Sequence, residues 1–221
     1  MSQEQWSEVD DYLTSLLHDP DASLDRANEA ALAARLPPIQ VSAPLGKLLH
    51  LMAKMIGARR ILEVGTLGGY SATWLGRALP PEGKLLTLEI DPTHAEVARK
   101  NIDAAGVGNS VEVRLGRAID TLAALATEGV EPFDFVFIDA DKPSNADYFA
   151  WALDHTHAGS VIVVDNTVQA GTVADPSATD DQTLGVRRLF DLIRDEPRVT
   201  ATTIQTVGTK GYDGFTVALV L

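Results

Sequence analysis

From residue 59 onward the chain alternates short apolar runs with helix-like stretches, and this rhythm limits its fold more than any other feature. "RRILEVG", "KLLTLEID", "SVEVRLG", "FDFVFIDA" and "SVIVVDN" are separated by helical patterns at 70–80, 93–105, 117–128 and 144–156. Alternation of this kind predicts a parallel sheet with helices on both faces. Two further runs, "VTATTIQTV" and "GFTVALVL", are separated only by "GTKGYDG", which is too short for a parallel crossover and predicts an antiparallel hairpin. A helix over 182–195 precedes them, and 167–180, rich in Gly, Asp, Thr and Pro, reads as a loop. Ahead of the alternation lie three helical patterns, at 6–17, 23–35 and 44–57. The first sets Trp6, Val9, Leu13, Leu16 and Leu17 on one face, and "LPPIQ" breaks the second. The 221 residues suit one α/β domain, with N-terminal helices over 1–57 and a Rossmann-like core over 58–221.

Charge and composition remove several function classes. A formal charge of −13 repels polyphosphate, so neither nucleic acid nor an anionic membrane is an expected partner. The absence of cysteine excludes disulfides, thiol catalysis and Cys-ligated metals. "MSQEQWSEVDDYL" has neither the basic start nor the apolar core of a signal peptide, and no apolar run approaches the ~20 residues that span a bilayer. The expected location is cytoplasmic.

"ILEVGTLGGYS" (61–71) follows a strand and opens a helix. Its glycines at 65, 68 and 69 let the backbone pass close to a ligand at the carboxyl edge of the sheet. A dinucleotide site calls for G-x-G-x-x-G, but Leu67 stands where the second glycine belongs. Glu63, just before the loop, would repel a pyrophosphate and attract an amino or sulfonium cation. Glu89 ends the next strand 24 positions after Gly65, about where an acid accepts hydrogen bonds from ribose hydroxyls. The Gly116–Ala118 turn would then lie near the base.

These motifs resemble those of the cation-dependent, S-adenosyl-L-methionine (SAM)-dependent O-methyltransferases, the family of catechol and caffeoyl-CoA O-methyltransferases and their bacterial relatives. "LEVGTLGGYS" resembles the family's first cofactor motif, "FIDADK" and "VVDN" its two metal-site motifs, and "IQVSAPLGKLL" the segment that closes over the cofactor. The resemblance runs from about Val41 to the C-terminus. It implies SAM contacts from Val41, Glu63, Gly65, Thr66, Gly69, Tyr70, Ser71, Glu89, Ala118 and Asp139. It also implies a seven-stranded sheet of order 3-2-1-4-5-7-6, a homodimer and a phenolic or catechol-like small-molecule acceptor. Three positions depart from the family pattern: Arg117 in place of an acid, Asn145 in place of a tyrosine, and Ser160 in place of a glycine.

Asp139 ends the fourth strand, and Asp165 and Asn166 end the fifth. Neighbouring strand ends of a doubly wound sheet converge on one crevice. Two carboxylates and an amide oxygen make a hard, oxygen-only donor set that suits Mg²⁺, or Mn²⁺ or Ca²⁺, better than zinc. The alternative is that Asp165 and Asn166 cap a turn. Lys142, three residues beyond Asp139, is either a solvated lysine or an ammonium facing the acceptor hydroxyl. With Asp139 it forms the candidate catalytic pair, as base or as stabiliser of the oxyanion. Asp141 reads as a structural turn acid, and Tyr212 and Asp213 as residues of the last hairpin turn that either border the substrate pocket or only form the turn. The rival functions are a nicotinamide-dependent oxidoreductase and a non-enzymatic nucleoside-binding protein. Leu67 and the Asp165–Asn166 pair count against the first, and Lys142 with the metal ligands against the second.

Overall fold

The computed structural model describes residues 2–221. Three helices, α1 (Gln3–Leu17), α2 (Ala22–Ala33) and α3 (Ala43–Met55), precede β1 (Arg60–Val64). Then follow α4 (Tyr70–Gly76), β2 (Lys84–Glu89), α5 (Pro92–Ala104), β3 (Val111–Leu115), α6 (Ala118–Glu128), β4 (Phe133–Ile138), α7 (Asn145–Asp154), β5 (Thr156–Val164) and α8 (Asp181–Asp195). The hairpin of β6 (Val199–Gly208) and β7 (Gly211–Val220) closes the chain. The sheet order is β3-β2-β1-β4-β5-β7-β6, with β7 antiparallel to both neighbours, as the resemblance implied.

Side chains alternate across each strand, so one run of residues feeds two cores. Ile61, Phe135, Phe137 and Val163 pack with Leu49, Trp74 and Leu75 on the face of α3, α4 and α5. Leu62, Val64, Val136, Ile138, Ile162 and Val164 pack with Leu122, Leu125, Phe149 and Leu189 on the opposite face. This double burial explains why the central strands read as continuous apolar runs. Local signals set the helix starts: Ser42 caps α3 ahead of Pro44, and Asp91 caps α5 by accepting from Thr93 and His94 amides, with Pro92 at its first turn.

Three expectations change. The apolar stripe of α1 stays uncovered, with Val9, Leu13, Leu16 and Leu17 at 50%, 44%, 62% and 71% exposure, because α1 meets the body mainly through its polar side. The 167–180 loop contains a 3₁₀ segment, Gln169–Ala174. The hairpin turn is only Thr209–Lys210, so Tyr212 and Asp213 belong to β7. There Asp213 accepts the Val168 and Gln169 amides at 3.1 and 2.9 Å, pinning the chain beyond β5. Among the described residues, no helix is long and apolar enough to cross a membrane.

Candidate active site

The ends of β1, β2, β4 and β5 are tied in sequence by backbone bonds: Gly65 N–H to Leu88 O, Asp139 N–H to Val64 O, and Asp165 N–H to Ile138 O, at 3.0, 2.8 and 2.9 Å. Gly65 has φ +101°, and a Cβ there would overlap the Asp139 carbonyl oxygen. Only glycine lets the loop after β1 lie directly on the end of β4. Above these ends opens a cavity of about 1260 Å³, more than one drug-sized ligand occupies. One end is walled by 65–68, Tyr70, Ser71, 88–91 and 116–119; the other by 139–142, Asp165 and Asn166. The rim comes from 37–42, Pro44, Leu45, 206–208, Lys210, Gly211 and Asp213.

Val41, Gly65, Thr66, Tyr70, Ser71, Glu89, Ala118 and Asp139 therefore share one cavity. Glu63 and Gly69 do not line it. Gly69, at φ +80°, starts α4 where a Cβ would press on Ile102 and Ala98, so it serves the packing of α4 on α5. Glu63 lies beneath the loop, fully buried. It accepts from Thr87 Oγ1 at 2.5 Å, and that hydroxyl sits 2.5 Å from Thr66 Oγ1 on the loop. Burial pushes the Glu63 carboxyl up to about 8, against the pull of the Thr87 bond. Its Oε1 has no hydrogen-bond partner.

Glu89 lines the cavity at 7% exposure and also organises its walls. Oε2 accepts from Leu67 N–H at 2.7 Å; Oε1 accepts from the Ile90 and Asp91 amides, both at 2.9 Å. Leu67 takes the left-handed conformation, φ +48°, that this bond demands. A carboxylate offers about four lone-pair sites, so Glu89 retains acceptor capacity toward the cavity.

At the other end Lys142 is only 7% exposed, and its Nζ donates to Asp139 Oδ1 at 3.0 Å. It is not a solvated surface lysine. Gly185 lets α8 pack directly on the Lys142 backbone, since a Cβ there would overlap the Lys142 carbonyl. Asp141 has the expected structural role, accepting from Ser144 Oγ at 2.5 Å and Tyr148 Oη at 2.7 Å. Asp165 is buried at 6% exposure, and its carboxylate accepts from one donor, the Asn166 amide, at 2.8 Å. Burial, and then the charge of Asp139, hold the Asp165 carboxyl well above the usual carboxylate range, with Lys142 offsetting part of the effect. Asn166 sits at φ +54°, a conformation asparagine tolerates, and lines the cavity. The donor set is chemically suited to a hard divalent cation: a buried and a half-buried carboxylate close enough to interact, lining one cavity with Asn166.

The O-methyltransferase family profile matches residues 17–219. The chain belongs to this family. The catechol O-methyltransferase of Niastella koreensis is 46% identical over all of both chains, and that of Mycobacterium tuberculosis is 49% identical over 96% of this chain and 95% of its own. Among solved structures, the Bacillus cereus O-methyltransferase in complex with SAH superposes with a TM-score of 0.98 at 48% identity, covering 100% of both chains. TomG of Streptomyces achromogenes, in complex with SAM, gives 0.96 at 52% identity over 100% of this chain and 99% of its own.

For this O-methyltransferase the least legible part of the site was its rim. The 167–180 loop contributes no lining residue, whereas the tip of the β6–β7 hairpin does. The sequence does carry a signal for it. Gly208 and Gly211 bracket "TK", which marks a two-residue hairpin with a lysine at its apex.

Proposed function

We propose that this O-methyltransferase moves the methyl group of SAM to one hydroxyl of a catechol-like acceptor, with a divalent cation held by Asp139, Asp165 and Asn166. One observation carries this reading. A single cavity joins a nucleoside-type wall, built on Glu89 and the 65–71 loop, to a buried oxygen cluster with a lysine beside it. The relatives named catechol O-methyltransferase support the acceptor class, and the SAM- and SAH-bound relatives support the donor.

Under this reading Val41, Gly65, Thr66, Tyr70, Ser71, Glu89, Ala118 and Asp139 bind SAM directly, while Glu63 and Gly69 shape the loop from below. A divalent cation bound at the oxygen cluster would supply the positive charge that acidifies a hydroxyl placed there. The acceptor O–H gives up its proton to Lys142 acting as base or to solvent water, the oxygen forms a bond to the methyl carbon, and the carbon–sulfur bond breaks toward the neutral thioether. Lys142 faces the reacting oxygen. Paired with Asp139, it serves there as base or as stabiliser of the oxyanion. Opposite charges meet in this step, so alignment between the loop and the oxygen cluster matters most.

The test is methyl transfer to catechol followed by mass spectrometry. EDTA should abolish the gain of one methyl, and Mg²⁺ or Mn²⁺ should restore it. Activity indifferent to EDTA would leave Asp165 and Asn166 as turn residues and remove the cation from the mechanism. A homodimer belongs to the same proposal, supported by the uncovered Tyr12, Leu13 and Leu16 of α1; sedimentation velocity checks it.

A further inference from the structure

The β6–β7 hairpin ends in the Thr209–Lys210 turn. Two bonds to α1 fix this tip: Thr209 N–H donates to Asp10 Oδ2, and Gln3 Nε2 donates to Gly208 O, both at 2.8 Å. Lys210 lines the same cavity as Lys142, Asp165 and Asn166. The two lysines differ in their partners. Lys142 is paired with Asp139, whereas Lys210 Nζ donates only to the Pro38 carbonyl, at 2.9 Å, and forms no ion pair among the described residues. An ammonium has three N–H donors, so two remain for a ligand. In a chain of charge −13, a cation without a carboxylate partner on a cavity rim is a selective feature.

We propose that Lys210 is an acceptor-specificity residue that binds the carboxylate of an acceptor whose vicinal hydroxyls lie at the Asp165 end. This rests on the methyl-transfer reading above. Thr167 N–H bonds Gly214 O, so the end of β5 lies level with Gly214 and Phe215. Lys210 is five residues farther up from Phe215, about 16 Å at strand rise. Turned toward the oxygen cluster, a lysine stem of about 6 Å would leave about 10 Å between ammonium and cluster. A carboxylate attached directly to the catechol ring is too short for this. One carried on a two- or three-carbon arm fits.

The alternative role for Lys210 is mechanical: its bond to Pro38 holds the 37–40 rim in place. Steady-state kinetics with 3-(3,4-dihydroxyphenyl)propanoate and with its neutral amide separate the two. In Lys210→Met, KM for the acid should rise roughly three- to fivefold, the scale of one solvent-facing ion pair, while KM for the amide stays unchanged. Lys210→Glu should widen the gap and Lys210→Arg should preserve wild-type preference. Added salt should narrow the acid–amide difference in the wild type only. An equal rise for acid and amide, or no change for either, overturns the proposal. If the wild type methylates neither compound nor catechol itself, the methyl-transfer reading has failed instead. Calorimetric titration of acid and amide into the wild type and Lys210→Met then reads the same charge preference without turnover, and equal affinities would overturn it.

Discussion

Two buried ionisable side chains, Lys142 and Glu63, carry separate predictions at the level of single residues. Lys142→Met keeps the volume of a side chain that is 7% exposed and deletes its charge beside Asp139. Turnover should fall about a hundredfold or more, with SAM affinity near wild type by calorimetry. Wild-type kcat at saturating acceptor would make Lys142 a packing residue. Activity that recovers at high pH would assign it to proton removal; a uniform loss across pH would assign it to holding the oxyanion. Glu63 makes a different prediction. Its carboxyl titrates near 4.5 in an unfolded chain and at about 8 when folded. Between those values the unfolded state has lost a proton that the native state keeps, so this residue's contribution to stability falls as pH rises from about 4.5 to 8. Glu63→Gln should flatten that part of the stability–pH curve in urea titrations; an unchanged slope would place the native carboxylate in its ordinary range. Neither environment was legible from residue type. A lysine next to two acids reads as solvated, and its backbone packs against Gly185, 43 positions away.

Strand ends, not helices, do the positioning at the level of elements. The loop from β1 to α4 is held by the carboxylate that ends β2, since Glu89 accepts the amides of Leu67, Ile90 and Asp91. Glu89→Ala should therefore do two things at once. SAM binding should weaken by roughly 1.5–3 kcal/mol, as for charge-assisted hydrogen bonds, and apo-protein stability should fall as three backbone donors lose their acceptor. Calorimetry and thermal melting read these separately. Weakened binding with an unchanged melting temperature would mean that the loop stands without Glu89. The glycine pattern and the acid 24 residues on were readable because both follow from the chain's need to turn at a sheet edge. What Glu89 holds was not, because backbone amides leave no mark in a sequence. The same limit explains the rim. Residues 37–42 and 206–211 meet only because β7 returns antiparallel beside β5 and carries its turn beyond the sheet. No local pattern encodes that meeting.

For the whole molecule, folding brings Asp139 and Asp165 together at a cost that a cation would remove. Burial, and then the charge of Asp139, disfavour the charged form of Asp165. Saturating Mg²⁺ should raise the melting temperature. A hundredfold excess over Kd contributes about 2.7 kcal/mol, which is several degrees for a chain of this size. Asp165→Ala should lose the Mg²⁺ response and melt higher than the wild type when both are metal-free. A lower melting temperature for the variant, with or without Mg²⁺, would make Asp165 a structural cap. The parallel sheet was legible in the apolar runs that alternate with helical patterns, and its strand order through the family resemblance. The hairpin tip has a different standing from that frame. Residues 206–211 are consecutive, hang outside the seven-stranded ladder's shared core and touch the rest mainly through α1 and Pro38. Under the Lys210 proposal, a short stretch of adjacent codons governs which molecules are admitted, while the codons for the proposed donor and cation sites lie elsewhere. Acceptor choice can drift, or be grafted from a relative as a cassette, without renegotiating the fold.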